Sequence, residues 1–255
     1  MMRLVWVWFW LVVAAAHGEG VSTNGVAPAP VPALKRGDVV IFVGDSITAH
    51  GKRPGGWIEL MQVAMLTDWQ YSDVQLVGRG VGGMKLRALR DQFDRDIKWP
   101  NPTVVVIEIG MNDLLQPDYE DSPAKRALFE LGYSDLIWRT RQNGAAPVLV
   151  THTLYGEKRP GTNTFDKRLD DYSALIRAIG RKKRCAVIEL RQPFLAYVAA
   201  HNPEDLASGV LTTDGAHFNA RGHRFMADLM LKAFGVAPVA GAPAAENPTA
   251  SERAP

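Results

Sequence analysis

The sequence predicts an α/β domain in which a five-stranded parallel sheet is covered by helices on both faces. Five short apolar runs, rich in β-branched residues, alternate along the chain with longer segments of helical periodicity. The runs are apolar almost throughout, which is typical of strands buried on both faces. Polar, glycine-bearing stretches follow three of the runs directly, as expected for loops at the carboxyl edge of such a sheet.

The apolar runs define the predicted strands, and capping signals define some of the helices. The strands are expected at residues 39–43, 74–77, 104–109, 148–151 and 186–190. Ser122 followed by Pro123 is typical of a helix N-terminus, and Asn143 with Gly144 marks that helix's end. Apolar residues at intervals of three and four indicate one face of a later helix. They are Phe165, Leu169, Tyr172, Ile176 and Ile179.

Composition limits the classes of partner. The 255 residues are 47% hydrophobic, which is enough for one domain with a sizeable core. The formal net charge is +2, so neither nucleic acid nor an acidic membrane surface is expected as a partner. We interpret the basic run at 181–184 as a helix end, where cations oppose the negative end of the dipole. Cys185 is the only cysteine, so no internal disulfide can form.

The two ends of the chain differ from the predicted domain at residues 37–235. Arg3 precedes an unbroken apolar run at 4–16 that ends in small residues, which predicts a signal peptide at 1–18. A spanning helix needs ~20 apolar residues, so a retained membrane anchor is the weaker alternative. Residues 19–36 are interpreted as a flexible linker and 236–255 as a disordered Ala/Pro-rich tail. We therefore expect export to the periplasm or the medium, with no stable membrane association after signal cleavage.

The polar residues that follow the strands should form one site. Ser46 follows the first strand, a glycine-rich stretch at 78–83 follows the second, and Asn112 follows the third. The carboxyl ends of parallel strands meet at one edge, so these stretches are expected to lie together. Late in the chain, Asp214 and His217 are three residues apart, and a turn or helix start would bring them to one side.

Acyl transfer through a serine requires these residue types. A serine hydroxyl is a poor nucleophile until a neighbouring base takes its proton, and histidine suits that task. A carboxylate on the other ring nitrogen fixes the tautomer and stabilises the imidazolium. Backbone N–H groups at glycine and an asparagine amide can stabilise the oxyanion. Each residue alone has a simpler structural explanation, such as a helix cap or a turn. Their order along the chain favours catalysis.

Four ordered blocks over roughly residues 38–234 resemble the SGNH/GDSL hydrolase family. They are Val-Gly-Asp-Ser-Ile at 43–47, Arg-Gly-Val-Gly-Gly-Met at 79–84, Gly-Met-Asn-Asp at 110–113 and Asp-Gly-Ala-His-Phe-Asn at 214–219. The resemblance implies a flavodoxin-like three-layer α/β/α sandwich and hydrolysis of carboxylic esters or thioesters through an acyl-enzyme, without a cofactor. It also implies a triad of Ser46, His217 and Asp214. The oxyanion hole would comprise Ser46, Gly83 and Asn112.

Some positions depart from the family pattern or leave alternatives open. Gly78 and Gly82 stand where many members have asparagine and serine. Neither position carries the chemistry, so the difference bears on how the loop is supported and not on the reaction. Residues 151–158 resemble a Thr-Pro-x-x-x-Gly-Glu-Lys segment of some members, with His152 in the proline position. Glu157 and its neighbours in that segment either line the substrate pocket or form a structural loop.

Two other site classes are disfavoured. His50, His152, His201 and His223 lack zinc-ligand spacing beside a carboxylate cluster, so no metal site is expected. The glycines at 78–83 lack the Gly-x-Gly-x-x-Gly spacing of a dinucleotide site.

Three hypotheses for function remain. The first is an esterase acting on small acyl groups of carbohydrate or short-chain lipid. The second is an acyltransferase with the same triad, because a sugar hydroxyl can intercept the acyl-enzyme in place of water. The third is a non-catalytic carbohydrate-binding protein on the same scaffold, which retention of all five functional residue types argues against.

Overall fold

The computed structural model of the chain describes residues 27–116 and 118–237, which contain five β-strands and eight α-helices. The strands are β1 Val39–Gly44, β2 Gln75–Gly80, β3 Val104–Glu108, β4 Ala146–Val150 and β5 Ala186–Ile188. The helices are α1 Ser46–Gly51, α2 Trp57–Leu66, α3 Leu86–Ile97, α4 Met111–Leu114, α5 Pro123–Gln142, α6 Asp166–Lys183, α7 Arg191–His201 and α8 Ala220–Ala233. The predicted signal peptide, most of the predicted linker and most of the predicted tail lie outside the described residues.

The strands form one parallel sheet in the order β2-β1-β3-β4-β5, which confirms the predicted sheet. The chain leaves β1 toward β2 on one side and then returns to β3 on the other side. Parallel α/β sheets bind ligands where the strand order reverses in this way, outside the carboxyl ends of the strands. The residues that follow β1 and β3 therefore occupy the position where a site is expected.

Alternate residues of the strands pack into two separate cores. In β1, Val40 and Phe42 face a core completed by α2, α7 and α8. Ile41 and Val43 face the opposite core, completed by α3, α5 and α6. The same alternation holds in β3, because successive side chains of a strand point to opposite faces. The fold is thus the expected three-layer α/β/α sandwich with the flavodoxin-like strand order.

Local sequence signals located both ends of α5 and the C-terminal end of α6 correctly. The Ser122 hydroxyl accepts a hydrogen bond from the backbone N–H of Lys125 at 3.2 Å, and Pro123 is the first residue of α5. Asn143 caps the C-terminus of that helix. The basic run at 181–184 lies at the C-terminal end of α6, as interpreted from the sequence, and Arg184 adopts a left-handed conformation there.

The folded body includes residues at both of its ends that carry no regular structure. Leu34 is buried against the core of α2, α7 and α8, and Val31 packs on its edge. At the other end, Val236 is buried in the same core, and its N–H donates to the Leu231 carbonyl. Among the residues described, no helix has both the length and the apolar character needed to cross a bilayer.

Candidate active site

Ser46 is the first residue of α1 and stands directly beyond the carboxyl end of β1. Asp45 caps the helix, because its Oδ1 accepts a hydrogen bond from the Ile47 N–H at 3.0 Å. The turn from strand to helix requires a glycine before it. A Cβ on Gly44 would lie 2.3 Å from the carbonyl oxygen of Glu108 on β3. A glycine at this position therefore lets the end of β1 pack closely against β3 just before Ser46.

Asp214 and His217 lie in a short loop that ends at α8. The Asp214 Oδ1 accepts hydrogen bonds from the N–H groups of Ala216 at 2.9 Å and His217 at 2.8 Å. Its Oδ2 lies 2.7 Å from His217 Nδ1. At the other side of the imidazole, Nε2 lies 2.9 Å from Ser46 Oγ. The structure therefore brings the three residues of the predicted triad into one hydrogen-bonded chain.

The partners of His217 determine its tautomer. A carboxylate can only accept, so the Nδ1 atom that faces Asp214 carries the proton. Nε2 of the neutral ring is then an acceptor for the Ser46 hydroxyl. Partial desolvation tends to raise the pKa of the Asp214 carboxyl. Hydrogen bonds from the His217 ring and from two backbone N–H groups outweigh it and lower that pKa to about 2. The Asp214 carboxylate is therefore ionised at neutral pH.

Asn112 and the loop of Gly83 lie beside the nucleophile. Asn112 is the second residue of α4, and its Nδ2 donates to Asp45 Oδ2 and to the Met84 carbonyl, each at 3.1 Å. Gly83, next to Met84, has a φ of +70° that favours glycine. The Asn112 amide thus donates to the residue that precedes Ser46 and to the residue that follows Gly83. The sequence placed these residues together but gave no indication of the contact with Asp45.

Two buried carboxyl groups lie behind Ser46, and the sequence had not indicated their role. Burial raises the pKa of Asp45 to about 6, although the Ile47 N–H and the proximity of His217 act in the opposite direction. Burial, followed by the charge of Asp45, raises the pKa of Glu108 well above its usual value. The Thr48 hydroxyl donates to Glu108 Oε2 at 3.0 Å. Thr48 is two residues beyond Ser46, so Glu108 links β3 to the nucleophile helix.

His50 also lies at this site. The sequence disfavoured it as a zinc ligand and indicated no other role for it. It follows Ser46 by four residues in α1, a spacing that places two side chains on one helical face. Its ring centroid lies 5.0 Å from that of His217. Desolvation lowers the pKa of His50, and the proximity of Arg53 and of His217 lowers it further, whereas Asp214 acts in the opposite direction. No group of three potential metal ligands is present within the part of the chain that the structure describes.

Glu157 lies outside the four sequence blocks. Its side chain is buried, and its carboxylate is hydrogen-bonded to backbone N–H groups. It accepts hydrogen bonds from the N–H groups of Val210, Leu211 and Thr212. Of the two interpretations of this segment, the contacts favour the structural loop for Glu157. The only signal available from the sequence was a charged residue after Gly156 in a segment with family resemblance.

A cavity of about 470 Å³ lies between α3 and α5. Its walls include Leu86, Arg87, Phe129 and Asp113, but neither Ser46 nor His217. The Asp113 carboxylate accepts a hydrogen bond from the Leu86 N–H at 2.9 Å and so fixes the start of α3. The cavity is therefore separate from the chain of Ser46, His217 and Asp214.

Comparison with known proteins gives a consistent result. A model of the GDSL-like Lipase/Acylhydrolase family matches residues 42–225. The crystal structure of an acetyl xylan esterase, AlAXEase, is 37% identical, covers 76% of this chain and 98% of its own, and superposes with a TM-score of 0.71. An acetylxylan esterase from Geobacillus stearothermophilus is 22% identical over 216 residues, which are 78% of this chain and 94% of that protein.

A third similarity concerns the fold alone. The crystal structure of an alpha/beta hydrolase enzyme from the metagenome of Lake Arreo, Spain, is 23% identical and superposes with a TM-score of 0.66. The match covers 79% of this chain and 97% of that one.

The geometry of the Asp214–His217 pair predicts a carboxyl titration. The pKa of Asp214 lies below the usual 3.8, so its hydrogen bonds stabilise the loop above about pH 4, and this contribution is lost as the pH falls toward 2. In His217→Ala the carboxyl loses the ring contact, and its pKa should rise toward the usual value. Carboxyl ¹³C NMR titration measures the Asp214 pKa in the wild type and in the variant. His201→Ala is the matched control, because the His201 ring contacts Tyr197 and not Asp214. An unchanged pKa in His217→Ala would contradict the ring contact.

Proposed function

Because this chain belongs to the GDSL-like lipase/acylhydrolase family and is therefore a carboxylic ester hydrolase of the SGNH type, we propose that it removes acetyl groups from acetylated carbohydrate of the xylan type. The observation that carries this proposal is the hydrogen-bonded chain from Ser46 Oγ through the His217 ring to Asp214. It stands at the carboxyl edge of the sheet. The 37% identity to an acetyl xylan esterase supports the choice of substrate class.

In the proposed first step, Ser46 Oγ attacks the acetyl carbonyl carbon while His217 Nε2 takes the hydroxyl proton. Asp214 holds the ring in the reactive tautomer and stabilises the imidazolium. The tetrahedral intermediate collapses as the imidazolium gives its proton to the departing sugar oxygen, leaving an acetyl-Ser46 ester. Water then attacks this ester with His217 again as base. Acetate leaves, and the proton returns to Ser46.

The oxyanion of both intermediates would be held by the backbone N–H groups of Ser46 and Gly83 and by the Asn112 amide. Asp45 and the Met84 carbonyl fix the plane of that amide before substrate arrives. One of its N–H groups exchanges its acceptor for the oxyanion as negative charge develops. Donors oriented in advance stabilise a developing charge more than donors that must first be ordered.

The openness of the site supports a bulky alcohol component. The side chain of Asp214 is 54% exposed and that of His217 is 35% exposed. An acetyl group that projects from a sugar chain can therefore reach Ser46 while the rest of the chain stays in solvent. A long acyl chain would gain little here, because an apolar ligand is stabilised mainly by being removed from water.

The central test is acetate release from acetylated xylo-oligosaccharides, run beside p-nitrophenyl esters of increasing acyl length. We expect turnover of the acetylated sugar, and rates on the p-nitrophenyl esters that fall as the acyl chain lengthens. An organophosphonate should label the wild type at one equivalent per chain. Ser46→Ala should lose both labelling and hydrolysis while its circular dichroism stays that of the folded protein, because the nucleophile is removed and the fold is not.

Variants of the other two triad residues make this test more specific. Members of a triad act as a unit, so His217→Ala should lose roughly 10⁶ in kcat, like Ser46→Ala, and Asp214→Ala should lose about 10⁴. Labelling that persisted in Ser46→Ala would place the nucleophile elsewhere. A preference for long acyl chains over acetyl would refute the proposed substrate class without affecting the triad.

Replacement of Asn112 tests the oxyanion hole. Asn112→Ala should lower kcat by about 10²–10³, the usual loss for one such donor, with little change in KM. Gln116→Ala is the matched control, because that amide lies two residues beyond α4 and donates to the Asn112 backbone carbonyl. Its kcat should stay near that of the wild type. A kcat for Asn112→Ala within a few-fold of wild type would remove the side chain from the hole.

We also propose that the chain is exported through residues 1–18, which lie outside the described residues. The supporting observation is Arg3 followed by the apolar run at 4–16 and small residues. The mature protein should begin within a few residues after Ala16. N-terminal sequencing of exported material measures this directly, and an intact Met1 would favour the membrane-anchor alternative.

A further inference from the structure

The Glu157 side chain is fully buried, yet it is an acid whose carboxylate contacts only backbone among its hydrogen-bond partners. Oε2 accepts from the Val210 N–H at 2.6 Å. Oε1 accepts from the N–H groups of Leu211 at 2.6 Å and Thr212 at 2.7 Å. Consecutive N–H groups that converge on one point form an anion-binding concavity, and a carboxylate matches it better than a neutral acceptor.

The backbone next to Glu157 holds the same loop at two further points. The Glu157 N–H donates to the Ala207 carbonyl at 3.0 Å. The N–H of Gly156 donates to the Gly215 carbonyl at 2.7 Å, next to Asp214. The segment that follows β4 is thus attached to the loop before α8 through both its backbone and one side chain. Without the carboxylate, three consecutive N–H groups would be left buried and unsatisfied.

These contacts continue into the loop that carries the acid–base pair. Thr212, which donates to Glu157, forms an antiparallel bridge with Phe218, directly after His217. The Thr212 hydroxyl accepts from the Gly215 N–H at 3.0 Å. The Thr213 N–H donates to the His217 carbonyl at 2.8 Å. The loop is therefore closed on itself, with its buried base on Glu157 and its exposed tip at Asp214 and His217.

The tip is held at two places, by Phe218, which is buried and stacked on Phe194, and by the base at residues 210–212. His217 can contact Ser46 only if the loop lies at the correct distance from α1, the helix that carries Ser46. A displacement of about 1 Å in a reacting group can cost about 10²-fold in rate. Given the proposed roles of Asp214 and His217, on which this step rests, the position of the loop is a catalytic variable as well as a structural one.

We propose that Glu157 is a positioning residue for the reaction. Its buried carboxylate holds residues 210–212 so that His217 Nε2 stays within hydrogen-bond distance of Ser46 Oγ. Glu157 touches no reacting atom. It acts through three backbone hydrogen bonds and the closed loop that they support.

The test compares Glu157→Gln with the wild type on p-nitrophenyl acetate. The amide keeps the size of the side chain but directs an NH₂ group at a backbone donor, so at least one contact is lost. We expect kcat to fall about 10- to 100-fold with KM within about threefold of wild type. The rate of phosphonate labelling at Ser46 should fall by the same factor as kcat. The low-field NMR signal of the His217 Nδ1 proton should broaden or shift.

A purely structural role would give another pattern, and a core variant provides the control. Ile179→Ala removes a buried side chain of α6 from the core of α3, α5 and α6, on the other side of the sheet from Leu211 and Phe218. It should lower the melting temperature but leave kcat and the signal of the His217 Nδ1 proton unchanged. All rates are measured at a temperature at which each variant is folded by circular dichroism. A Glu157→Gln enzyme with wild-type kcat and a lower melting temperature would overturn the proposal.

A second variant keeps the question answerable if Glu157→Gln does not fold. Glu157→Asp keeps the charge but shortens the side chain by one methylene, so its carboxylate cannot reach all three N–H groups of residues 210–212 at once. We expect a smaller loss of kcat in the same direction, and an unchanged kcat would overturn the proposal. Failure of the proposed function looks different, because Ser46→Ala and His217→Ala would then remain active. If those variants are inactive and Glu157→Gln is not impaired, only the positioning role fails.

Discussion

The 2.9 Å contact between His217 Nε2 and Ser46 Oγ joins segments that lie 171 residues apart, and the surrounding structure holds each side of it differently. On one side, Ser46 leaves a strand that is buried between two others, and its helix is capped by Asp45. On the other side, His217 stands at the tip of an irregular loop. Such a loop can bring a base to a nucleophile only if hydrogen bonds replace the packing that a strand or helix would have supplied.

This difference explains why buried polar groups collect at the site. The sheet is almost wholly apolar, but Thr48, Glu108 and Glu157 are all buried around the elements that carry the reacting groups. Glu157 satisfies three N–H groups of irregular backbone, whereas Thr48 and Glu108 bond to each other and join α1 to β3. Arg191 continues this pattern behind the Glu157 segment. Its fully buried guanidinium binds Asp166 at 2.7 Å and the Thr153 carbonyl at 2.8 Å. Apolar contacts are non-directional, whereas these contacts specify geometry.

The strands and the four blocks could be predicted from the sequence because both depend on local pattern. β2 and β4 show the limit. β2 continues to Gly80, so the first half of the glycine-rich stretch expected to follow it lies in the strand, and β4 begins at Ala146, two residues before the predicted start. Pro147 is tolerated there because pairing with β5 begins only at Val148. The Asp45–Asn112 contact, the neighbourhood of His50 and His217, and the anchorage of Glu157 could not be predicted. Each depends on the relative positions of elements far apart in the chain, which hydrophobic periodicity does not encode.

Asp45 indicates the energetic cost of an oriented site. Its folded pKa of about 6 exceeds the usual 3.8, so ionisation above pH 6 opposes folding, and this penalty disappears as the pH falls toward 4. A neutral asparagine would avoid the penalty but would direct an amide donor at the Asn112 donor. Only an ionised carboxylate can accept from the Ile47 N–H and the Asn112 amide together without offering a hydrogen of its own. The fold therefore keeps a buried charge directly behind Ser46, because the orientation of the nucleophile helix and of the Asn112 amide both depend on it.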